Sequence, residues 1–147
     1  MIVLLDTGVI GLLAKPSADR HAEIWLVGLV QRGRRVFIPE IADYELRREL
    51  LRAKLTASIT ALDNLLESSC EYLPLDTQSF RRAAELWAEL RLSGQPTAPD
   101  LSLDGDCLLG AQARMLEAQS NQLVTIATTN EKHLSRIALA RFWSDVS

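Results

Sequence analysis

A chain of 147 residues lies within the range of one domain, and its 48% hydrophobic and 24% charged residues exclude a disordered segment. The net charge of −3 gives no basic excess for meeting phosphate, yet it suits a site that must be acidic to hold a cation. Cys70 and Cys107 lack the spacing of a zinc site or redox pair, and the apolar run at the N-terminus is too short for a signal peptide or membrane span. The expectation is a reduced, cytoplasmic protein with no membrane partner.

Ile2 to Leu5 is a short apolar run ending at Asp6, the pattern of a parallel strand buried on both faces. Asp6-Thr7-Gly8 opens a short helix to about Leu13, broken at Pro16 and Ser17. A second helix is expected over Asp19–Gln31, stopped by Gly33, and a second strand over Val36–Ile38. Pro39 turns the chain into a helix from Glu40 to about Ala53, followed by another over Leu55–Glu67. Cys70–Leu75 reads as the third strand and Thr77–Leu92 as a long helix capped by Asp76 or Thr77. The segment from Ser93 to Pro99 is the clearest loop, and a helix is expected near Asp104–Ala118. Gln122–Ile126 is the last expected strand, with a short helix around Lys132–Leu134. Strands alternating with helices predict one α/β domain over residues 1–147. Its short central parallel sheet has about four strands, covered by helices on both faces.

Ligands of open parallel sheets bind beyond the carboxyl ends of the strands, so Asp6 and Asn130 mark the edge to search. Asp6 reads equally as an N-cap and as a site residue. Glu45 shares a helix flank with Ile41, Arg48 and Arg52, which fits either a cleft or a solvated charged face. Asp104-Gly105-Asp106 precedes a run of small and aliphatic residues, and positions 106, 109, 110 and 113 share one flank. Asp106 is then either a first-turn partner of the helix dipole or a metal ligand. Asp104, two positions earlier, points elsewhere or lies in the approach loop.

Asp6-Thr7 after an apolar strand, Tyr44-Glu45-Leu46-Arg47-Arg48, Asp106-Cys107-Leu108-Leu109-Gly110-Ala111 and Thr128-Thr129-Asn130 resemble, in order and spacing, the four motifs of PIN-domain nucleases. Length and the Tyr-Glu-Leu-Arg-Arg stretch resemble the toxin subunits of VapBC-type toxin–antitoxin pairs. The resemblance implies a Mg²⁺- or Mn²⁺-dependent endoribonuclease, a homodimer, and a small antitoxin partner. It makes Asp6, Glu45 and Asp106 the core acids, with Asp104 in reserve. Asn130 departs from the pattern, because many members carry an aspartate there and an amide brings no charge.

Mg²⁺ prefers hard oxygen ligands and is usually held by one or two carboxylates with several waters. On that basis Asp6 and Asp106 are expected to ligate directly, Glu45 through water or by orienting it, and Asn130 and Thr128 to hold the outer shell. Arg47, Arg48, Arg52 and Lys54 place positive charge along the Glu45 helix, where phosphates or plain solvent can face it. His133 lacks a Ser or Cys partner and is not read as a general base, and Trp25, Trp87 and Trp143 read as core or dimer interface. A dehalogenase-type phosphatase needs an acid where Gly8 stands, and a receiver domain needs a lysine soon after Ile126; neither is present. The surviving rival is a PIN fold with weak or no catalysis, serving binding or assembly.

Overall fold

The computed structural model describes residues 1–17, 20–94 and 100–147, with side chains for all of these except 100–102. Among the described residues five strands are formed: β1 (Ile2–Leu5), β2 (Arg35–Pro39), β3 (Glu71–Leu73), β4 (Val124–Thr128) and β5 (Ala140–Phe142). They make one sheet in the order β3-β2-β1-β4-β5, and every neighbouring pair is parallel. The helices are α1 (Thr7–Ala14), α2 (His21–Gln31), α3 (Glu40–Arg52), α4 (Thr56–Ser68), α5 (Thr77–Leu92), α6 (Asp100–Ser120) and α7 (Glu131–Leu134).

The continuous apolar run of β1 is explained by burial on both faces. Val3 and Leu5 pack with Val9, Ile10, Leu26, Leu29 and Leu62, while Ile2 and Leu4 pack with Leu109, Ala113, Ile126 and Leu134. All four β1 side chains are fully buried, and each such burial contributes on the order of 1.5–3 kcal/mol. A third cluster joins Ala83 and Leu86 of α5 to Leu103, Cys107 and Ala111 of α6 and to Ile137, so α5 packs on the outside of α6. Gly110 permits the close approach of Ile137 to α6, since a Cβ there would overlap Ile137 Cγ2.

From β1 the chain moves to β2 and β3 on one side and later returns to β4 on the other. The carboxyl ends of β1 and β4 therefore form a switch point, where the loops diverge and leave a crevice.

The sheet has five strands where about four were expected. The fifth, Ala140–Phe142, is three residues long with two exposed side chains, and it adds to β4 as a parallel edge. β3 ends before Pro74, whose missing N–H cannot extend a ladder. β4 starts and ends two residues later than expected: Asn121 has a positive φ of 54°, and the strand runs on to Thr128. α6 begins at Asp100, ahead of the expected Asp104, so the Asp-Gly-Asp triplet lies inside the helix. Asp19 of the expected second helix, and residues 95–99 of the expected loop, lie outside the described residues. Among the described residues no helix is long and apolar enough to cross a membrane.

Candidate active site

Asp6 follows β1 directly, and its backbone N–H donates to Ala127 O of β4 at 3.1 Å, which locks it at the switch point. Its side chain has two tasks. Oδ1 accepts from Val9 N at 3.0 Å, capping α1, and Oδ2 accepts a short hydrogen bond from the Thr128 hydroxyl. Thr128 Oγ1 in turn accepts from Asn130 N at 2.9 Å. The cap and the site are thus compatible, because one oxygen serves each.

Glu45 reaches the same place from the second turn of α3. It is half-buried, its Oε1 accepts from Thr7 Oγ1 at 3.5 Å, and its carboxylate lies against Gly105 of α6. Asp106 arrives from the next residue of α6. Since α6 begins six residues earlier, Asp106 is not a first-turn partner of the helix dipole, and that alternative reading of the sequence drops out.

The electrostatics of the three acids are set first by burial. Burial is the largest cause in each case, and it pushes all three carboxyls above the ordinary carboxylate range. At Asp6 the rise is opposed by hydrogen bonds from Thr128 and the backbone of Val9, Thr129 and Gly8. At Glu45 it is opposed by the Arg48 charge and the Thr7 hydroxyl, and reinforced by Asp6. Asp106 is pushed up to about 6, with His133 pulling down and Glu45 and Asp6 adding repulsion. Asp6 thus raises the proton affinity of Glu45, and both raise that of Asp106, whereas the rise at Asp6 itself comes from burial.

A hard divalent cation fits the donors. Among the described residues Asp106 Oδ2 is buried without a hydrogen-bond partner, the kind of orphan that an ion or its water would satisfy. All three acids offer oxygen. Among the described residues no group of three or more His, Cys, Asp or Glu stands ready to hold an ion. Oxygen donors are the kind that Mg²⁺ uses, an ion usually held by one or two carboxylates with several waters.

Other candidates from the sequence fall elsewhere. Asp104 is exposed and borders a groove of about 400 Å³ with Phe80, Ala83, Ala84, Trp87 and Leu108, on the α5 side of α6 and away from the other acids. Two residues on a helix differ by about 200° in direction, which is why Asp104 and Asp106 part. Arg47 is held by Asp43 at 3.0 Å and Asp63 at 2.8 Å, tying α3 to α4, and so turns from the crevice. Arg52 pairs with Glu49 at 2.8 Å on an exposed face. Arg48, stacked 5.1 Å from the Tyr44 ring centroid, is the arginine whose charge acts on Glu45. The Asn130 side chain is exposed and makes no cap bond to α7. Trp87 is 40% exposed and so is not a core residue, whereas Trp25 and Trp143 form an edge-to-face pair with centroids 5.3 Å apart.

The structure adds Thr7 and Gly105 to the surroundings of Glu45, and it brings the charge of His133, set aside as a general base on sequence, to bear on Asp106. Thr7 was visible only as a neighbour of Asp6. His133 lies three residues past Asn130, one helical turn on, but nothing linear links it to Asp106.

Fold and site together define a parallel α/β domain with a carboxylate-lined crevice at its switch point. The chain belongs to the PIN domain family, whose model matches residues 3–139. No curated protein sequence matches it. Solved structures with the same fold include VapBC2 from Rickettsia felis bound to a DNA fragment from their promoter. The likeness has a TM-score of 0.74 at 21% identity, covering 96% of this chain and 98% of that one. VapBC-1 from nontypeable Haemophilus influenzae gives a TM-score of 0.72 at 20% identity over 99% and 100% of the two chains. FitAcB from Neisseria gonorrhoeae gives 0.69 at 21% over 98% and 99%.

Proposed function

We propose that this protein is a Mg²⁺- or Mn²⁺-dependent endoribonuclease and the toxin of a toxin–antitoxin pair, working as a homodimer in the cytoplasm and held in check by a small antitoxin. The observation that carries the reading is the meeting of Asp6, Glu45 and Asp106 at the switch point, with Asp106 Oδ2 buried and unpartnered among the described residues. Membership of the PIN family supports nuclease chemistry, and the likeness to the VapBC structures supports an antitoxin partner. RNA as substrate rests on the motif resemblance.

Asp6 and Asp106 are assigned as the direct ligands, with Asp104 omitted because of its position on the far side of α6. When bound, the ion supplies positive charge against the scissile phosphate and lowers the pKa of water. Glu45 orients the attacking water or accepts its proton, for which a raised pKa is favourable. Thr128 holds Asp6 in one rotamer, and the Asn130 backbone holds Thr128. Arg48 is assigned to a flanking phosphate, while Arg47 and Arg52 contribute only to the general field.

A second reading, a PIN fold used for binding or assembly without useful catalysis, is favoured by the uncharged, exposed Asn130 at the fourth acidic position. Calorimetric titration with Mn²⁺ separates the two. The nuclease binds the ion and cleaves RNA on its addition, whereas the scaffold shows neither.

A further inference from the structure

Several glycines of this chain are crowded by neighbours, but what crowds them differs. An added Cβ at Gly8 would overlap Thr129 Oγ1, and at Gly110 it would overlap Ile137 Cγ2. Ile137 is a buried, branched side chain, so a methyl group at Gly110 disturbs the fold itself, whereas Thr129 is exposed at the surface. Gly105 sits inside α6, where glycine is among the least favourable residues. There the three atoms nearest an added Cβ all belong to the Glu45 carboxylate: Oε1 at 3.0 Å, Oε2 at 3.1 Å and Cδ at 3.2 Å. The near-equal distances place the carboxylate broadside over the bare Cα.

We propose that Gly105 is a positioning residue for Glu45: the missing side chain on this turn of α6 lets the carboxylate of α3 lie beside Asp106. Glu45 is the only one of the three acids carried on a long side chain. It accepts from Thr7 Oγ1 of α1 at 3.5 Å, a bond too long to fix it alone. Contact with Gly105 supplies the second constraint. A methyl at 105 has one easy outlet, which is for the flexible carboxylate to withdraw from α6 and hence from Asp106. The helix backbone need not move.

The proposal rests on reading Asp6, Glu45 and Asp106 as the ion-holding site of a nuclease, and its test separates the two. Gly105→Ala, Glu45→Ala and the double variant are compared with wild type in three measurements: melting in EDTA, Mn²⁺ affinity by calorimetry, and RNA cleavage. Gly105→Ala is expected to melt at or above the wild-type temperature, since alanine is the better helix former. Yet it should bind Mn²⁺ several-fold more weakly and lower kcat about tenfold with KM little changed, because a misplacement of a few tenths of an ångström costs less than the ~100-fold of a full ångström. In the Glu45→Ala background the same change should leave Mn²⁺ affinity where it was. A merely structural role would lower the melting temperature and would act equally in both backgrounds. Wild-type Mn²⁺ affinity and kcat in Gly105→Ala, a penalty that persists without Glu45, or a destabilised Gly105→Ala would each overturn the proposal and leave the nuclease reading intact. Failure of the wild type itself to bind Mn²⁺ or cut RNA would overturn both, and it would be seen before any variant was made.

Discussion

Replacing Asp106 by asparagine should stabilise this protein in the absence of metal while removing its activity. The carboxyl is pushed up from its ordinary 3.8 to about 6, chiefly by burial and then by Glu45 and Asp6. A folded-state pKa above the unfolded value means that the native state holds the proton more tightly. The resulting stability is complete below pH 3.8 and is lost as pH rises through about 6. At about 1.36 kcal/mol for each tenfold change in proton affinity, the full effect is roughly 3 kcal/mol. Asp106 is only partly buried, so solvent screening reduces this to about 1–2 kcal/mol. The amide of the Asp106→Asn variant never ionises and escapes the loss. In EDTA the variant should therefore melt with the wild type near pH 4 and about 3–6 °C above it at pH 7.5. Thermal melts across that range, followed by circular dichroism, make the comparison. A variant that melts below wild type at pH 7.5, or a difference that does not grow with pH, would refute the reasoning. Added Mg²⁺ should raise the wild-type melting temperature and leave Asp106→Asn where it was.

Asp6 separates capping from chemistry. Asp6→Asn keeps an N-cap acceptor for Val9 and should retain the melting temperature while losing cleavage, whereas Asp6→Ala should lose cleavage and about 1 kcal/mol of stability as well. The neighbouring arginines should divide in the same way. Arg47→Ala breaks the link from α3 to Asp63 of α4 and should lower the melting temperature with cleavage preserved. Arg48→Ala should melt normally, bind RNA more weakly, and reduce the slope of log affinity against log salt by about 1.

Much of this was legible in the sequence because the signals were local. The run Ile2–Leu5 ending in Asp6 gave both a buried strand and an acid at its carboxyl end, and helical spacing placed Glu45 on α3. What was not legible depended on contacts between distant segments. β5 has three residues and exists because the edge of β4 is open beside it, so no period-2 pattern could announce it. The Asp104-Gly105-Asp106 triplet marked the expected head of the helix, since Asp and Gly favour caps and turns, yet the helix starts at Asp100 and packing against α5 carries it through the triplet. That shift of four residues changed the meaning of both acids, sending Asp104 to the outer groove and Asp106 into the crevice. The run of arginines after Glu45 looked uniform, and only the fold shows that Asp43, Asp63 and Glu49 engage two of the three.

The central claim is that these acids cut RNA with a divalent ion, and the most direct test is cleavage of a mixed RNA pool by partner-free protein with Mn²⁺ or Mg²⁺. Wild type should cut, EDTA should stop it, and folded Asp106→Asn should fail at every ion concentration tried. Cutting by Asp106→Asn at the wild-type rate, or no cutting by folded wild type with either ion, would contradict the account.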